Sequence, residues 1–505
     1  GRIGDLRLTI RTSTAANAGT VDLIRGCLGE SACVAFDTFP FSYATENSYQ
    51  PDDLQALGQT DLYRRPVSLP LAGLPGFSLE VAAATVDASV PVNGTNAWRP
   101  GCISAVLDGA LIYCRDDFGS TIVGSESSPG EVPLYLDPNP NTLTCDGCYP
   151  GALTHGPMIG RTTPSSTLIW LRTEYTRSVV IRYGTSAGSL TASTSPVLTQ
   201  SDEDFVAIVP LTGLSPGATY YYAVEVDGAL ASTSELTFRT APSAAAVTTI
   251  AYGSCVKNSV DPTEPIFTQV LKQKPDVFLF VGDNHYGNRP DYDNQVFHLL
   301  RERTIPSQAA LVARTPTLAI WDDHDFAGNN TYGAAEPARA TALAAFTRYW
   351  ANGTYGDGGH PGVYSSARYG DVEVFLLDTR YHRDLPGSDG TMLGAHQLAW
   401  LLESLSNSTA TFKLIASGSR FTLEGSDDSW AEYPTERAVL FDHIASAQVA
   451  GVVFLSGDIH RVEVREMDLG QTPYPFWEFV SSPLNNDHGT GCTAPGGDTL
   501  HYCSG

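Results

Sequence analysis

Alternating apolar and polar residues characterise the first half of the chain and predict β-strands. Before residue 151 the alternating segments are LRLTIRT (6–12), VSLPLAGL (67–74), FSLEVAAATV (77–86) and CISAVLDGALIYC (102–114). After it they are TLIWLRTE (167–174), SVVIRYGT (178–185) and ATYYYAVEVDG (218–228). A period of two places the apolar residues of a strand on one face. We therefore predict a β-sandwich over residues 1–150 and a second β domain over residues 151–244, which ends in a linker rich in alanine and proline.

The pattern changes after residue 245, where apolar runs are continuous and alternate with helical periodicity. The runs are VTTIAYGS (247–254), DVFLFVGD (276–283), TLAIWDD (317–323), VEVFLLDT (372–379), FKLIASGS (412–419) and GVVFLSGD (451–458). Runs of this kind are typical of strands that are buried on both faces. Strands that alternate with helices, such as HQLAWLLESL (396–405), predict a layered α/β sheet over residues 245–505.

Polar side chains follow most of these buried strands directly. They are Cys255, Asp283, Asp322, Asp323, His324, Asp378, Asp458 and His460. Ligands of open α/β sheets bind beyond the carboxyl ends of the strands. We therefore expect these side chains to meet in one site.

The residue types at the strand ends favour metal binding. Carboxylates and imidazoles bind divalent metals, while a thiolate and a phenolate suit ferric iron. Clustered metals can activate water and stabilise both oxygens of a phosphoryl transfer. The chain contains no GxxxxGK[ST] motif, no HExxH motif and no serine on a nucleophile elbow, which argues against the common alternatives.

The net charge of the chain restricts the classes of molecule that we expect it to bind. There are 55 acidic and 30 basic residues, so the formal net charge is −25. A surface of this charge repels nucleic acid, and we expect no binding to nucleic-acid duplexes. It also repels phosphate esters, so phosphate chemistry would require cations at the site. No apolar run approaches the roughly 18 residues of a membrane span.

Nine cysteines and four glycosylation sequons suggest an oxidising compartment. Eight cysteines lie near the two ends of the chain, whereas Cys255 stands alone in the middle. We predict local disulfides between Cys27 and Cys33, Cys102 and Cys114, and Cys492 and Cys503, although spacing alone leaves the connectivity open. The sequons are at Asn93, Asn329, Asn352 and Asn407. We therefore expect a secreted or extracellular glycoprotein, with a periplasmic or cell-surface location as the alternative.

Five short motifs follow one another in the second half of the chain. They are GSC (253–255), GDNHYG (282–287), WDDHD (321–325) with 329–330, LDTRYHRD (377–384) and SGDIH (456–460). In type and order they resemble the motifs of PhoD-like alkaline phosphatases and phosphodiesterases, which are calcineurin-like metallophosphoesterases. The resemblance covers roughly residues 155–485. It implies metal-dependent hydrolysis of phosphate monoesters, phosphodiesters or both. Which of these esters is the substrate stays open.

The same resemblance implies roles for individual residues. Cys255, Asp283, Tyr286 and Asp458 would bind Fe³⁺, and Asp283 would bridge to a Ca²⁺ that is also bound by Asp323 and His460. Two Zn²⁺ or Mn²⁺ ions are the alternative. His324 and Arg380 would contact the substrate phosphate, and Asp323 is counted with them as catalytic. Further candidates for contact with the substrate or the ligands are Asn330, His285, Asp322 and Asp378. We expect Asn329 to remain unmodified, because a glycan there would crowd the site.

The two N-terminal domains show weaker resemblances. LTGLSPGATYYY (211–222) resembles a fibronectin-III-like sandwich, and segments around residues 9–12, 18–20, 59–61 and 98 resemble a PLAT-type sandwich. A PLAT-like domain would imply contact with lipid or extracellular matrix through residues 1–150. A function of another class also stays open, namely a self-assembling filament or surface subunit built on a phosphoesterase fold.

Overall fold

The structure, a computed structural model, describes two parts of the chain to different depths. Between residues 153 and 504 it describes all residues except 233, 258–262, 388, 423–427, 468–473 and 490–497. Before residue 153 it describes the backbone of eight strands, without their side chains. The chain divides into two compact units. The first comprises Gly1–Thr154 with Thr173–Arg177 and Leu198–Phe205, and the second contains the rest of the chain.

The first unit contains two four-stranded antiparallel sheets. Its strands are β1 (Arg2–Thr12), β2 (Leu23–Leu28), β3 (Ala32–Ala35), β4 (Thr60–Leu69), β5 (Phe77–Ala82), β6 (Pro100–Leu107), β7 (Ala110–Arg115) and β8 (Gly130–Leu134). The sheet orders are β4-β1-β6-β7 and β3-β2-β5-β8. Cys27 and Cys33 lie opposite each other in the β2–β3 pair, a register compatible with the predicted disulfide. The sandwich packing of the two sheets stays a prediction.

The second unit begins with a group of antiparallel strands. They are β9 (His155–Thr162), β10 (Ser166–Arg172), β11 (Ser178–Gly184), β12 (Ala192–Ser193), β13 (Val197–Leu198), β14 (Val206–Thr212), β15 (Thr219–Val226), β16 (Ala229–Leu230) and β17 (Leu236–Arg239). One sheet has the order β14-β10-β9 and the other β12-β11-β15-β16, with β13 on β11 and β17 on β15. The three alternating segments predicted in this region form β10, β11 and β15.

The α/β part contains all six strands predicted from the apolar runs. Its strands are β18 (Ile250–Gly253), β19 (Val277–Val281), β20 (Thr317–Ile320), β21 (Ser365–Tyr369), β22 (Val372–Leu376), β23 (Phe412–Ala416), β24 (Val452–Ser456), β25 (Val462–Met467), β26 (Phe476–Val480) and β27 (Asp498–Ser504). Its helices are α1 (Pro265–Lys272), α2 (Tyr292–Thr304), α3 (Pro306–Val312), α4 (Asp323–Phe326), α5 (Arg339–Tyr349), α6 (Gly394–Asn407) and α7 (Pro434–Ser446). No helix among the described residues combines the length and the apolar character that a membrane crossing requires.

These strands divide between two sheets, a division that the apolar pattern does not reveal. Strands β18, β19 and β20 form a parallel sheet. The other sheet has the order β21-β22-β23-β24-β26-β25-β27, in which β22, β23, β24 and β26 are parallel. The predicted helix over 396–405 forms α6, which packs with α7 in a core shared with the larger sheet.

The antiparallel strands pack closely on the helices of the α/β part. Trp170 Nε1 donates a hydrogen bond to Arg348 O at 3.0 Å, and the Trp170 ring lies 5.8 Å from that of Tyr349. Tyr222 Oη donates to Ala313 O at 2.7 Å. Trp170 and Tyr222 are fully buried. These contacts agree with the assignment of both regions to one compact unit, and the predicted boundary at residue 244 stays untested.

Two glycines allow the carboxyl ends of the two sheets to approach each other. A Cβ at Gly457, which follows β24, would overlap with Ser254 Oγ, which follows β18. A Cβ at Gly418, which follows β23, would overlap with the Asp322 carboxyl group, which follows β20. The polar residues after the strands of both sheets therefore reach one common region.

Candidate metal centre

Four predicted metal ligands have backbone conformations that residues other than glycine rarely adopt. Cys255, Asp283, Asp458 and His460 have φ angles of 63°, 51°, 71° and 55°. Left-handed residues of this kind are strained and cluster at functional sites, because they turn side chains in directions that a regular strand end does not offer. Here they direct Cys255, Asp283 and Asp458, which follow parallel strands, into one region. His460, two residues after Asp458, is directed into the same region.

Cys255, Asp283 and His460 form the first group of potential ligands. Their ligand atoms all lie within 4.8 Å of one another. Cys255 is a free, fully buried thiol, and its Sγ lies 3.4 Å from Asp283 Oδ2. Tyr286 Oη lies 3.0 Å from the same oxygen and 3.1 Å from His460 Nε2. A thiol, a phenol, a carboxylate and an imidazole thus converge.

Asp283, Asp323 and His324 form a second group, whose ligand atoms also lie within 4.8 Å of one another. Asp283 Oδ1 accepts a hydrogen bond from His324 N, whereas Asp283 Oδ2 faces the first group. The Asp323 carboxylate accepts hydrogen bonds from His324 N at 2.8 Å and Asn330 N at 2.7 Å. Because Asp283 belongs to both groups, its two oxygens are positioned to bind two metals.

A third group contains Asp322, Asp428 and Asp458. The grouping differs from the prediction, which places Asp458 beside Cys255 and His460 beside Asp323. The Cys255 thiol approaches Asp458 through the backbone oxygen, at 3.5 Å. The contribution of Asp428 was not predicted, because it follows no recognisable strand.

Arg380 is placed differently from its predicted role as a phosphate contact. Its side chain is fully buried, and Nε donates to Asp322 Oδ1 at 2.6 Å. Both terminal nitrogens of Arg380 donate hydrogen bonds to the Asp428 carboxylate, and Nη1 lies 2.9 Å from its Oδ1. Arg383 joins Asp428 from the other side at 2.6 Å. The guanidinium is thus enclosed by carboxylates behind the metal ligands, and this position does not support contact with the substrate.

Asp325 organises the loops that carry the ligands, a function that sequence reasoning missed. Its Oδ1 accepts from Asp322 N at 2.6 Å, which caps α4, and from Asp283 N at 3.3 Å. Its Oδ2 accepts from the backbone and the side chain of Asn284. The position of Asp325, three residues after Asp322 at the start of a helix, is the signal of a capping box that could have identified it.

Three further candidates make contacts other than those predicted for them. Asp378 is buried and accepts hydrogen bonds from three backbone amides and an indole. His285 is not placed as a substrate contact, because it is buried and stacks on His298 with ring centroids 5.5 Å apart. Asn330 approaches the site through its backbone N–H on Asp323. These side chains shape the surrounding loops.

The sequons differ in their accessibility. Asn352, predicted as a glycosylation candidate, is fully buried, and its Nδ2 donates to Ala319 O at 2.7 Å. A glycan on that nitrogen would break this bond and require exposure, so the folded chain cannot be modified there. Asn329 and Asn407 are exposed, and Asn93 lies outside the described residues.

The electrostatics of the site suit metal cations. Burial and the neighbouring Asp323 raise the pKa of Asp283 well above its usual value. Burial, reinforced by Asp283, also raises the pKa of the Cys255 thiol and of the Tyr286 phenol. Repulsion among buried acids is relieved when cations bind them, which lowers the pKa of each ligand. The buried Oδ1 of Asn284 and Oδ2 of Asp322 have no hydrogen-bond partner among the described residues. The donor set and these unpartnered oxygens therefore fit bound metal ions.

Comparison with known proteins yields matches that agree with this geometry. Residues 298–495 match the model of the PhoD-like phosphatase family, and residues 151–242 match a domain of unknown function, DUF7800. Alkaline phosphatase D of Bacillus subtilis (strain 168) is 26% identical over 309 residues, which are 50% of this chain and 52% of the relative. The chain therefore spans about half the length of that curated relative.

Two solved structures resemble the fold. A structure of PhoD has a TM-score of 0.59 and 22% identity, covering 66% of this chain and 77% of its own. A purple acid phosphatase from yellow lupin (Lupinus luteus) seeds has a TM-score of 0.53 and 11% identity, covering 99% of this chain and 84% of its own. Both likenesses indicate a phosphoesterase fold. Together with the family match, they agree with the resemblance seen in the motifs: residues 298–495 are similar to PhoD-like phosphatases.

Proposed function

We propose that this protein hydrolyses phosphate esters with two metal ions that share Asp283. The observation behind the proposal is that this carboxylate belongs to both groups of ligand atoms. Paired metals bridged in this way are suited to phosphoryl transfer, where the attacking and leaving oxygens both need stabilisation. The PhoD-like domain supports the same reaction class.

The donor types suggest which metals bind. Cys255, Asp283, Tyr286 and His460 would bind Fe³⁺, with Asp458 beside them, because thiolate and phenolate favour ferric iron. Asp283 and Asp323 would bind Ca²⁺ through carboxylate oxygens, with His324 beside them. Two Zn²⁺ or Mn²⁺ ions are the alternative, and an imidazole would suit Zn²⁺ better than Ca²⁺. When bound, such ions activate water for attack on phosphorus and stabilise negative charge on the phosphoryl oxygens.

His324 is suited to proton transfer in this site. Its Nδ1 contacts Asn288 Oδ1, and because an amide oxygen only accepts, Nδ1 must donate. Nε2 is then the nitrogen that can accept a proton. Burial lowers the pKa of His324 despite the opposing charge of Asp323, so the imidazole is neutral near pH 7. We assign to Nε2 either binding of a metal or acceptance of a proton during the reaction.

The location and the outer domains are part of the same proposal. The exposed sequon at Asn407 and the eight cysteines outside the metal centre support a secreted or cell-surface protein. Residues 151–242 would form the fibronectin-III-like sandwich, and residues 1–150 would contact lipid or matrix. Nothing in the described residues favours the alternative of a self-assembling subunit without activity.

A hydrolysis assay with controlled metal content tests the proposal. Purified protein should hydrolyse bis-p-nitrophenyl phosphate or p-nitrophenyl phosphate, lose this activity when chelator removes the metals, and regain it when iron and calcium return. A protein that contains two metals per chain and hydrolyses neither ester would contradict the proposal and favour the structural alternative.

A further inference from the structure

The proposed reaction needs a cation for the substrate that the predicted residue cannot provide. The net charge of −25 and the acidic ligands repel a phosphate ester. Arg380 is fully buried and paired with Asp322 and Asp428. A side-chain contact to the substrate phosphate, in addition to the proposed metals, would therefore have to come from another positive group beside the metal centre.

Lys257 lies at this position, two residues after Cys255. Its backbone is fixed from two sides, since its N–H donates to Asn485 O at 2.6 Å and its carbonyl accepts from Asn485 Nδ2 at 3.1 Å. The preceding residue, Val256, donates its N–H to Asp283 O at 2.8 Å. These hydrogen bonds hold the backbone of Lys257 next to the candidate ligands Cys255 and Asp283.

The Lys257 ammonium group lies over the metal centre. Its Nζ is 5.6 Å from the centroid of the Tyr286 ring, within the range of a cation–π contact. The same ring lies 4.3 Å from the His324 ring, and its hydroxyl is 3.1 Å from His460 Nε2. Burial lowers the pKa of His324 and of His460, and the nearby charge of Lys257 lowers both pKa values further.

The ammonium group is also available for a ligand. Lys257 is half-buried, and no carboxylate among the described residues forms a salt bridge with it. The two cations thus differ in function. Arg380 is enclosed by aspartates and stabilises the loops, whereas Lys257 is half-buried beside Tyr286 and forms no salt bridge among the described residues.

We propose that Lys257 binds a non-bridging oxygen of the substrate phosphate and is the substrate-binding cation of this centre. The inference rests on the proposed hydrolysis of phosphate esters. A lysine ammonium acts as a compact point charge with three donors, which suits a phosphate oxygen approached from the side of Tyr286. Its contribution is to substrate and product binding rather than to metal binding.

The test compares Lys257→Met with Lys257→Arg and with a matched control, Lys272→Met. Methionine keeps an unbranched side chain over Tyr286 but removes the charge, and arginine keeps the charge. Lys272 is an exposed residue at the end of α1, close to where β19 begins and away from the carboxyl ends of the strands. Both methionine variants lower the net charge equally, so only a local contact distinguishes them.

We expect Lys257→Met to retain both metals and its melting temperature. Its kcat/KM for bis-p-nitrophenyl phosphate should fall about 10- to 100-fold, the range for one lost hydrogen bond to a charged group. The inhibition constant of inorganic phosphate should rise by a similar factor, while Lys272→Met stays within about threefold of wild type. Lys257→Arg keeps the charge on a larger planar group and should recover part of the loss seen in Lys257→Met. The phosphate measurement separates a binding residue from a structural one.

Other outcomes would overturn the inference. Unchanged kinetics in Lys257→Met would exclude a substrate contact while leaving the proposed function intact. An equal loss in Lys272→Met would indicate a general charge effect, and loss of metal from Lys257→Met would indicate a structural role. Failure of the proposed function is recognised separately, because wild-type protein with two metals would then hydrolyse neither ester.

Discussion

Two aspartates that follow buried parallel strands have opposite surroundings. Asp378 follows the end of β22 and accepts hydrogen bonds from three backbone amides and from the indole of Trp321, at 2.7 to 2.9 Å. Asp283 follows β19 and lies among other acids. Burial and the charges of its acidic neighbours, Asp323 first among them, raise its pKa.

The difference separates a structural carboxylate from a ligand. Neutral donors already satisfy Asp378, so a cation would gain little by binding there. The donors to Asp283 include Cys255 and Tyr286, which are themselves candidate ligands, and the carboxylate is repelled by its acidic neighbours, so bound cations would stabilise it. The position after a strand indicates that a carboxylate is a candidate, and the donors around it decide whether a metal is needed.

The largest effect is expected from Asp283→Asn. This substitution removes the negative charge shared by both groups of ligands while keeping the size of the side chain. We expect loss of both metals and a fall in kcat/KM of about 1,000-fold, since metal stabilisation of the transition state is worth several kcal/mol. Measurement of metal content by mass spectrometry together with hydrolysis rates checks this. Retention of both metals in the variant would contradict the bridging position of Asp283.

The next largest effect is expected from Arg380→Met and concerns stability. The substitution leaves the buried Asp322 without its cation and Asp428 paired with Arg383 alone, which costs about 3–5 kcal/mol for a broken buried pair. Denaturant unfolding of metal-loaded protein should reveal this loss. Normal stability with turnover alone lost would instead support the phosphate contact that the sequence predicts.

The fold and the identities of many candidate ligands were predictable from sequence. All six apolar runs after residue 245 form strands, and Cys255, Asp283, Asp323 and His460 lie together as their positions after strands suggest. Hydrophobic pattern and strand-end position are local features, so one sequence contains them. The PhoD-like resemblance is confirmed by the family match.

The environment of each polar residue was not predictable in the same way. Whether Arg380 faces substrate or aspartate depends on Asp428, which lies 48 residues away in the sequence. The burial of Asn352 depends on its contact with Ala319 in β20. Such long-range contacts have no local signal. The role of Asp428 was missed for this reason.

A smaller effect on stability is expected from Asp378→Asn. The amide can replace only part of the acceptor capacity that four donors use, so we expect a loss of about 1–3 kcal/mol. Metal content should remain that of wild type. Thermal unfolding and metal analysis of this variant, beside Asp283→Asn, compare the two aspartates directly. A loss of metal from Asp378→Asn would remove the distinction between them.

The last effect depends on pH and concerns Glu436, a buried carboxyl group outside the metal centre. It accepts from the backbone N–H groups of Met392 and Leu393, and burial raises its pKa to about 7. The folded state favours the neutral form of Glu436. Its contribution to the free energy of unfolding is therefore complete below its pKa in the unfolded chain, and is lost as pH rises from about 4.5 to about 7. Glu436→Gln should flatten this decline by roughly 2–3 kcal/mol at most. Unfolding curves across that pH range, with and without metal, would show it; an unchanged decline would contradict the raised pKa.

The shared position of Asp283 is tested most directly by anomalous diffraction from crystals of the purified, metal-loaded protein. Data collected on both sides of the iron absorption edge locate the metals and identify iron independently of activity. We predict two anomalous peaks, one on each side of the Asp283 carboxylate, with the iron peak beside Cys255 and Tyr286. A single peak that does not contact Asp283, or no peak in crystals of fully metal-loaded protein, would contradict the two-metal centre.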